Sequence, residues 1–233
     1  MIKIRPHQLF DLVDLSSYHE RIVKIVLPDR NAPILLETAI LLSLAKIVKP
    51  RQFFEFGTYL GVETLNIAAN LDEDSRVYTL DLDEKSLRGL HQDVHDQPLT
   101  LTHFENLQRL AFLGTPYERR ITQLKSDSKA YDFSRFHKQI DMVYVDGGHD
   151  LPTLVSDTQN ALKMLSENHA TCIAWHDYET SKYPQVTEYL LNLSASLELF
   201  HVEESRIVFL IQNHERAVTE LKLGGANNGG RKG

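Results

Sequence analysis

The sequence predicts an α/β fold: a doubly wound sheet, mostly parallel, that finishes in an antiparallel β-hairpin. Three observations predict it. Short apolar runs recur at 53–56, 77–80, 121–124, 140–145 and 170–175, with helical periodicity between most of them, and strands alternating with helices make parallel βαβ units. Each run stops at glycine or polar residues, as strands do at the ligand-binding edge of such a sheet. The last two runs, 199–202 and 206–211, have only Glu203-Glu204-Ser205 between them. That leaves no room for a crossover helix, so these two strands are antiparallel.

Length and charge bound the rest. The chain has 233 residues and a net charge of −7, which fits one α/β domain with additions and is ample for a core. An acidic chain without a basic stripe argues against nucleic acid or an anionic membrane as main partner. The single cysteine, Cys172, excludes an intrachain disulfide. Residues 1–6 lack the apolar core of a signal peptide. The most apolar stretch, 34–48, is interrupted by Glu37 and Lys46 and is too short to span a bilayer. The expectation is a soluble, cytoplasmic protein.

In chain order, residues 1–32 suggest one or two short helices and then a loop ending at Pro33. Such a piece serves equally as a lid over substrate or as a structural brace. An apolar helix over 34–48 is ended by Lys49-Pro50. The first strand, 53–56, runs into Gly57 and Gly61 and then a helix to about Leu71. Glycine lets a ligand lie against the backbone there, at the positive end of a helix. The second strand, 77–80, ends at Asp81-Leu82-Asp83 and leads into a helix expected over 84–95. Another helix and a loop fill 97–118, and the third strand ends at Lys125-Ser126-Asp127-Ser128. The fourth ends at Asp146-Gly147-Gly148-His149 before a helix over 151–165, and the fifth at His176-Asp177. A loop and a helix around 186–193 precede the hairpin. The Gly-rich end beyond Leu223 reads as a disordered tail.

Chemistry gathers at the carboxyl edge. Asp81 stands about twenty residues past the glycine turn, where a carboxylate takes both ribose hydroxyls of an adenosine; Asp83 competes for that role. Asp127, helped by Ser126 or Ser128, suits an adenine amino group or, equally, a plain turn. Asp146, His176 and Asp177 form a metal-ligand set, in which two carboxylates suit Mg²⁺ and the imidazole better suits zinc, iron or manganese. His149, beyond two glycines, is positioned for general-base work. The remaining histidines lack such spacing and read as surface or packing.

Glu55-Phe56-Gly57-Thr58-Tyr59-Leu60-Gly61, the acid after the second strand, Ser126-Asp127-Ser128 and the closing hairpin together resemble class I S-adenosylmethionine-dependent methyltransferases, from about residue 34 to 213. Val145-Asp146-Gly147-Gly148-His149 and Ala174-Trp175-His176-Asp177-Tyr178 resemble, more narrowly, the branch of small-molecule and sugar O-methyltransferases. That branch includes the macrolide sugar O-methyltransferases and cephalosporin-hydroxylase-like proteins. The resemblance implies a Rossmann-like seven-stranded sheet whose last strand is reversed. It implies S-adenosylmethionine held by Glu55, Gly57, Thr58, Tyr59, Gly61, Asp81, Asp83, Ser126, Asp127 and Asp146. It also implies Mg²⁺ or another divalent metal on Asp146 and Asp177, with His149 as base. His176 departs from the branch, where an acidic residue stands.

The expected organisation is a helical cap over 1–33, the cofactor-binding methyltransferase domain over 34–213, and an extension over 214–233. The acceptor is a small hydroxylated molecule, such as a sugar, phenol or polyketide-type alcohol; the oligomeric state stays open. Trp175 and Tyr178 serve either as walls of the acceptor pocket or as core. Two competing readings share the fold: a nicotinamide-dependent dehydrogenase, and a binding module without catalysis. The absence of Gly-x-Gly-x-x-Gly and the closing hairpin count against the dehydrogenase.

Overall fold

The computed structural model describes residues 1–13, 25, 35–86 and 92–228. The chain opens with strand β1 (Ile2–Ile4) and a single helical turn, α1 (Pro6–Phe10). Helix α2 (Leu35–Val48) follows, then β2 (Gln52–Phe56), α3 (Val62–Asn70), β3 (Arg76–Asp81) and α4 (Asp96–Glu105). Next come β4 (Ile121–Lys125), β5 (Met142–Val145), α5 (Leu151–Met164), β6 (Thr171–Trp175) and α6 (Pro184–Leu193). The end is β7 (Phe200–Val202), β8 (Val208–Gln212) and α7 (Glu215–Asn228).

The strands form one sheet in the order β1-β7-β8-β6-β5-β2-β3-β4. All pairings are parallel except the two made by β8, which runs against β6 and β7. The central strands read as near-continuous apolar runs because helices cover both faces. Successive side chains alternate faces. Phe53, Met142, Tyr144, Cys172 and Ala174 pack on the side of α2, while Phe54, Val143, Val145, Ile173 and Trp175 pack on the side of α5 and α6.

Helix α2 is buried on nearly every side, so its charged Glu37, only 4% exposed, needs a partner inside the protein. It ends where Lys49 takes a left-handed conformation, φ 51°, just before Pro50. The sheet's switch point lies between β2 and β5, since the chain leaves β2 toward β3 on one side and later returns through β5 on the other. Parallel open sheets bind ligands in that crevice.

Three expectations change. The sheet has an eighth strand, β1, which pairs with β7 from Ile2↔Phe200 to Ile4↔Val202; its three residues were too few to read as a strand within the predicted N-terminal cap. The helix expected over 84–95 does not form at either described end. Residues 84–86 make a turn in which the Asp83 carboxylate accepts from Ser86 N–H at 2.8 Å, and the next helix starts only at Asp96. Residues 87–91 lie outside the described set. At the other end, α7 continues as helix through residues 224–228, which read as tail. Its glycines have a packing reason: a Cβ on Gly225 would sit 2.6 Å from Ile2 Cγ2, and one on Gly224 2.2 Å from Gln8 Nε2. The close approach docks α7 on β1 and α1. Most of the expected lid falls in 14–24 and 26–34, outside the described residues.

Candidate active site

A cleft of about 440 Å³ opens at the carboxyl edge of the sheet, over the switch point. That is within the roughly 300–1,000 Å³ usual for small-molecule sites. Its floor is the turn after β2. Gly57 adopts φ 92°, and a Cβ there would lie 2.0 Å from the Asp146 carbonyl oxygen. Only glycine lets the β2 and β5 ends meet this closely. Gly61, at φ 74°, caps the start of α3, and a Cβ there would meet the Phe112 ring at 2.7 Å.

Asp81 pins this turn. Its Oδ2 accepts from the N–H groups of Thr58 and Tyr59, both at 2.8 Å, and its Oδ1 accepts from Leu82 N–H at 2.8 Å. Tyr59 is thereby held at φ 46°, a strained conformation for a non-glycine residue. Below the turn, Glu55 is fully buried and accepts from the hydroxyls of Thr64 and Thr79. Burial pushes its carboxyl up to about 8, against the pull of those two hydroxyls, so it carries a proton at neutral pH. Glu63 accepts from Thr38 Oγ1 at 2.6 Å, and burial likewise pushes it up to about 7.

The other wall holds a chain of opposite charges. His149 is buried between two carboxylates. Its Nδ1 is 2.7 Å from Asp96 Oδ1, its Nε2 is 2.8 Å from Asp177 Oδ2, and its backbone N–H donates to Asp96 Oδ2 at 2.8 Å. The ring stacks on Tyr183, with centroids 3.7 Å apart and planes 8° apart. Burial opposes the imidazolium, but the Asp177 and Asp96 hydrogen bonds outweigh it and raise His149 to about 9. His176 Nε2 lies 3.0 Å from Glu37 Oε2. Its Nδ1 lies 3.2 Å from Asp146 Oδ1 and 3.3 Å from Asp177 Oδ2. Asp177, at φ 59°, also accepts from Arg206 Nη1 at 3.1 Å. Burial resists its charge, yet His149 and His176 hold its carboxyl well below the usual range.

Of the residues singled out from sequence, Glu55, Gly57, Thr58, Tyr59, Asp81, Ser126, Asp127, Asp146, His149, His176 and Asp177 all line this cleft. Asp83 is not among the lining residues; its carboxylate closes the Ser86 turn. Gly61 also stands back, packed on Phe112. Trp175 is core: it is fully buried and donates to Thr158 Oγ1 at 3.0 Å. Tyr178 is buried against His201, with ring centroids 4.7 Å apart.

Among the lining residues that escaped the sequence reading are Glu37, Asp96, His103 and Arg206. Glu37 left a signal, as a lone carboxylate in an apolar helix. His103 was grouped with surface and packing histidines; it is 2% exposed, with Nδ1 2.6 Å from the Tyr59 carbonyl. Arg206 sits in a hairpin turn, where a cation is unremarkable.

A family model described as a methyltransferase domain matches residues 54–178, more than half of the 233-residue chain. The chain belongs to this methyltransferase family. No curated protein sequence matches it. Solved structures share the fold at low identity. A Bacillus cereus O-methyltransferase in complex with S-adenosylhomocysteine is 16% identical over 88% of this chain and 89% of that one, with a TM-score of 0.50. A Staphylococcus aureus protein described as a caffeoyl-CoA O-methyltransferase is 12% identical over 88% and 97%, with a TM-score of 0.52. The Podospora anserina methyltransferase bound to S-adenosylhomocysteine is 13% identical over 77% and 78%, with a TM-score of 0.50. The fold is thus the Rossmann-like methyltransferase sheet with its reversed strand, β8, and an added edge strand, β1. The dehydrogenase reading is not favoured. Among the described residues no helix is long and apolar enough to cross a membrane.

Proposed function

We propose that the chain transfers a methyl group from S-adenosylmethionine to a hydroxyl of a small molecule, with His149 as the general base. One observation carries the reading. A histidine held between two carboxylates, Asp96 on Nδ1 at 2.7 Å and Asp177 on Nε2 at 2.8 Å, lines a cleft floored by a glycine turn. An imidazole so held has its orientation fixed, and Nε2 is the atom that can exchange a proton with a ligand.

The sulfonium is an activated methyl donor, so the protein has mainly to align it with the acceptor oxygen. The Gly57–Tyr59 turn supports the methionine end and Asp81 the ribose. Asp81 Oδ2 already accepts two backbone N–H groups and Oδ1 one, so only their remaining lone pairs are open to hydroxyls. Asp127 and Ser126 flank the base end. His149 Nε2 takes the hydroxyl proton, the oxygen bonds to the methyl carbon, and the carbon–sulfur bond breaks to leave S-adenosylhomocysteine. At neutral pH the ring carries a proton on Nε2, shared with Asp177 Oδ2 at 2.8 Å. Positive charge arriving near Asp177 favours passage of that proton to solvent, which makes Nε2 a base.

The same wall fits a divalent metal. Asp146, His149 and Asp177 present three donor atoms within 4.8 Å of one another. His176 Nδ1 stands beside them, 3.2 Å from Asp146 Oδ1 and 3.3 Å from Asp177 Oδ2. Asp146, His176 and Asp177 would hold the ion, which would supply Lewis-acid stabilisation of the developing alkoxide.

The test is transfer of a labelled methyl group from S-adenosylmethionine to a panel of phenols, sugars and aliphatic alcohols. The reading expects His149→Ala to lose turnover by about a hundredfold or more, in line with general-base contributions, with S-adenosylhomocysteine affinity unchanged. Full turnover in that variant removes His149 from the chemistry.

A further inference from the structure

We propose that Asp157, on helix α5, recognises the amino edge of the cofactor's adenine and so sets the base specificity of the cleft. The inference rests on the S-adenosylmethionine reading above and deepens it by naming the residue that selects the base.

Asp157 and Thr153 stand four residues apart on α5, hence on one face of the helix, and both line the cleft. Asp157 is 1% exposed. Its Oδ1 is buried and has no hydrogen-bond partner among the described residues. The carboxyl lies against Gly147, another lining residue, where a Cβ would stand 3.1 Å from Asp157 Oδ2. The bare glycine leaves the carboxyl its place in the wall.

The neighbouring polar groups are occupied with one another. Asp127, the acid that its place after β4 suggests for the base, accepts from Lys129 N–H on Oδ1 at 2.9 Å, and the same oxygen lies 3.2 Å from Lys129 Nζ. Lys129 Nζ donates to Thr153 Oγ1 at 2.8 Å. The Thr153 hydroxyl donates to Asp150 Oδ2 at 2.6 Å, and the Thr153 N–H donates to Asp150 Oδ1 at 3.1 Å. Asp157 Oδ1 takes no part in this chain. A buried polar atom without a partner is costly until a ligand supplies one. Burial pushes the Asp157 carboxyl up to about 7; the Ser128 hydroxyl and the Lys129 ammonium pull it down, while Asp127 and Asp150 add to the rise. An N–H donor arriving at Oδ1 favours the ionised form.

The chemistry of the base supplies that donor. Adenine carries an amino group on C6, whereas a 6-oxo purine carries a carbonyl oxygen there. A carboxylate oxygen accepts from the first and repels the second.

The experiment titrates the full chain by calorimetry with S-adenosylhomocysteine and with its 6-oxo analogue, S-inosylhomocysteine, at about pH 8, where the carboxyl is ionised. Native protein should bind the adenine compound at least about tenfold more tightly, the scale of one mismatched base edge. Asp157→Asn keeps the shape and can turn its amide nitrogen toward a carbonyl oxygen. It should bind S-inosylhomocysteine more tightly than native protein does and cut the preference at least about tenfold; a purely structural role would weaken both compounds alike. Asp127→Asn should leave the preference unchanged. No preference in native protein, or a preference unmoved in Asp157→Asn, overturns this inference and leaves the cofactor reading standing. Loss of the preference in Asp127→Asn instead assigns the amino edge to Asp127. Binding of neither compound, from protein whose fold is intact, overturns both.

Discussion

Arg206 grips Glu37 across 169 residues of sequence, with its backbone N–H and two guanidinium nitrogens on the one carboxylate. The pair ties helix α2 to the turn between β7 and β8, and both ends touch the cleft wall. Burial works against the Glu37 charge, but His176 and Arg206 outweigh it and bring its carboxyl down to about 2. Arg206→Ala leaves that buried charge without its main partner. Arg206 is about a third exposed, so the loss should be about 2 kcal/mol rather than the 3–5 of a fully buried pair. Arg206→Lys should recover only part of it, because an ammonium cannot span both oxygens. Urea denaturation measures both; an Arg206→Ala variant as stable as native contradicts this account of the pair.

Asp81 is expected to act twice. It holds the Thr58 and Tyr59 N–H groups and it borders the cleft. Asp81→Ala should therefore weaken S-adenosylhomocysteine binding by at least about tenfold, through lost charge-assisted hydrogen bonds. It should also lower stability by about 1–3 kcal/mol, because the turn's two donors lose their acceptor. Full affinity in a destabilised variant would limit Asp81 to holding the turn.

His149 gives a pH prediction in metal-free protein. Its folded value, about 9, lies above the ordinary 6.5. The stability this supplies is complete below about pH 6.5 and is lost as pH rises through about 9. Histidine ring NMR on chelator-treated protein should show a midpoint near 9, and Asp96→Asn should lower it. A native midpoint near 6.5 contradicts the two-carboxylate environment.

Glu55 titrates in the same sense for a different reason. Burial raises it from 4.5 to about 8. The fold favours its neutral form, so the associated stability is complete below about pH 4.5 and declines as pH rises toward 8. Glu55→Gln keeps a neutral group of the same shape. The variant should match native stability near pH 5 and exceed it near pH 9 by a few kcal/mol, at about 1.4 kcal/mol per pKa unit. Parallel loss of stability with rising pH in both proteins would assign the effect elsewhere.

Much of the fold was legible because the central strands are buried on both faces and so read as unbroken apolar runs, as in Phe53-Phe54 and Ile140 to Val145. The reversal of β8 was legible from the three residues that precede Arg206. Strand β1 was not, since three residues carry no periodicity. Helix α7 was hidden because its glycines mimic a flexible tail while they serve close packing against Ile2 and Gln8. At the site, the residues at strand ends could be read because topology brings them to one edge. Glu37, Asp96 and Arg206 come from the first turn of one helix, the start of another and a hairpin turn. Only tertiary contact makes them neighbours of His149 and His176. Asp83 shows the converse limit: two residues past Asp81, it spends its carboxylate on its own turn.

The most direct test of the account is a calorimetric titration of native protein with S-adenosylhomocysteine, with NAD⁺ as control. The account predicts single-site micromolar binding of S-adenosylhomocysteine, weakened at least about tenfold in Asp81→Ala, and no binding of NAD⁺. Absence of heat with S-adenosylhomocysteine, from protein whose fold is intact, would contradict it.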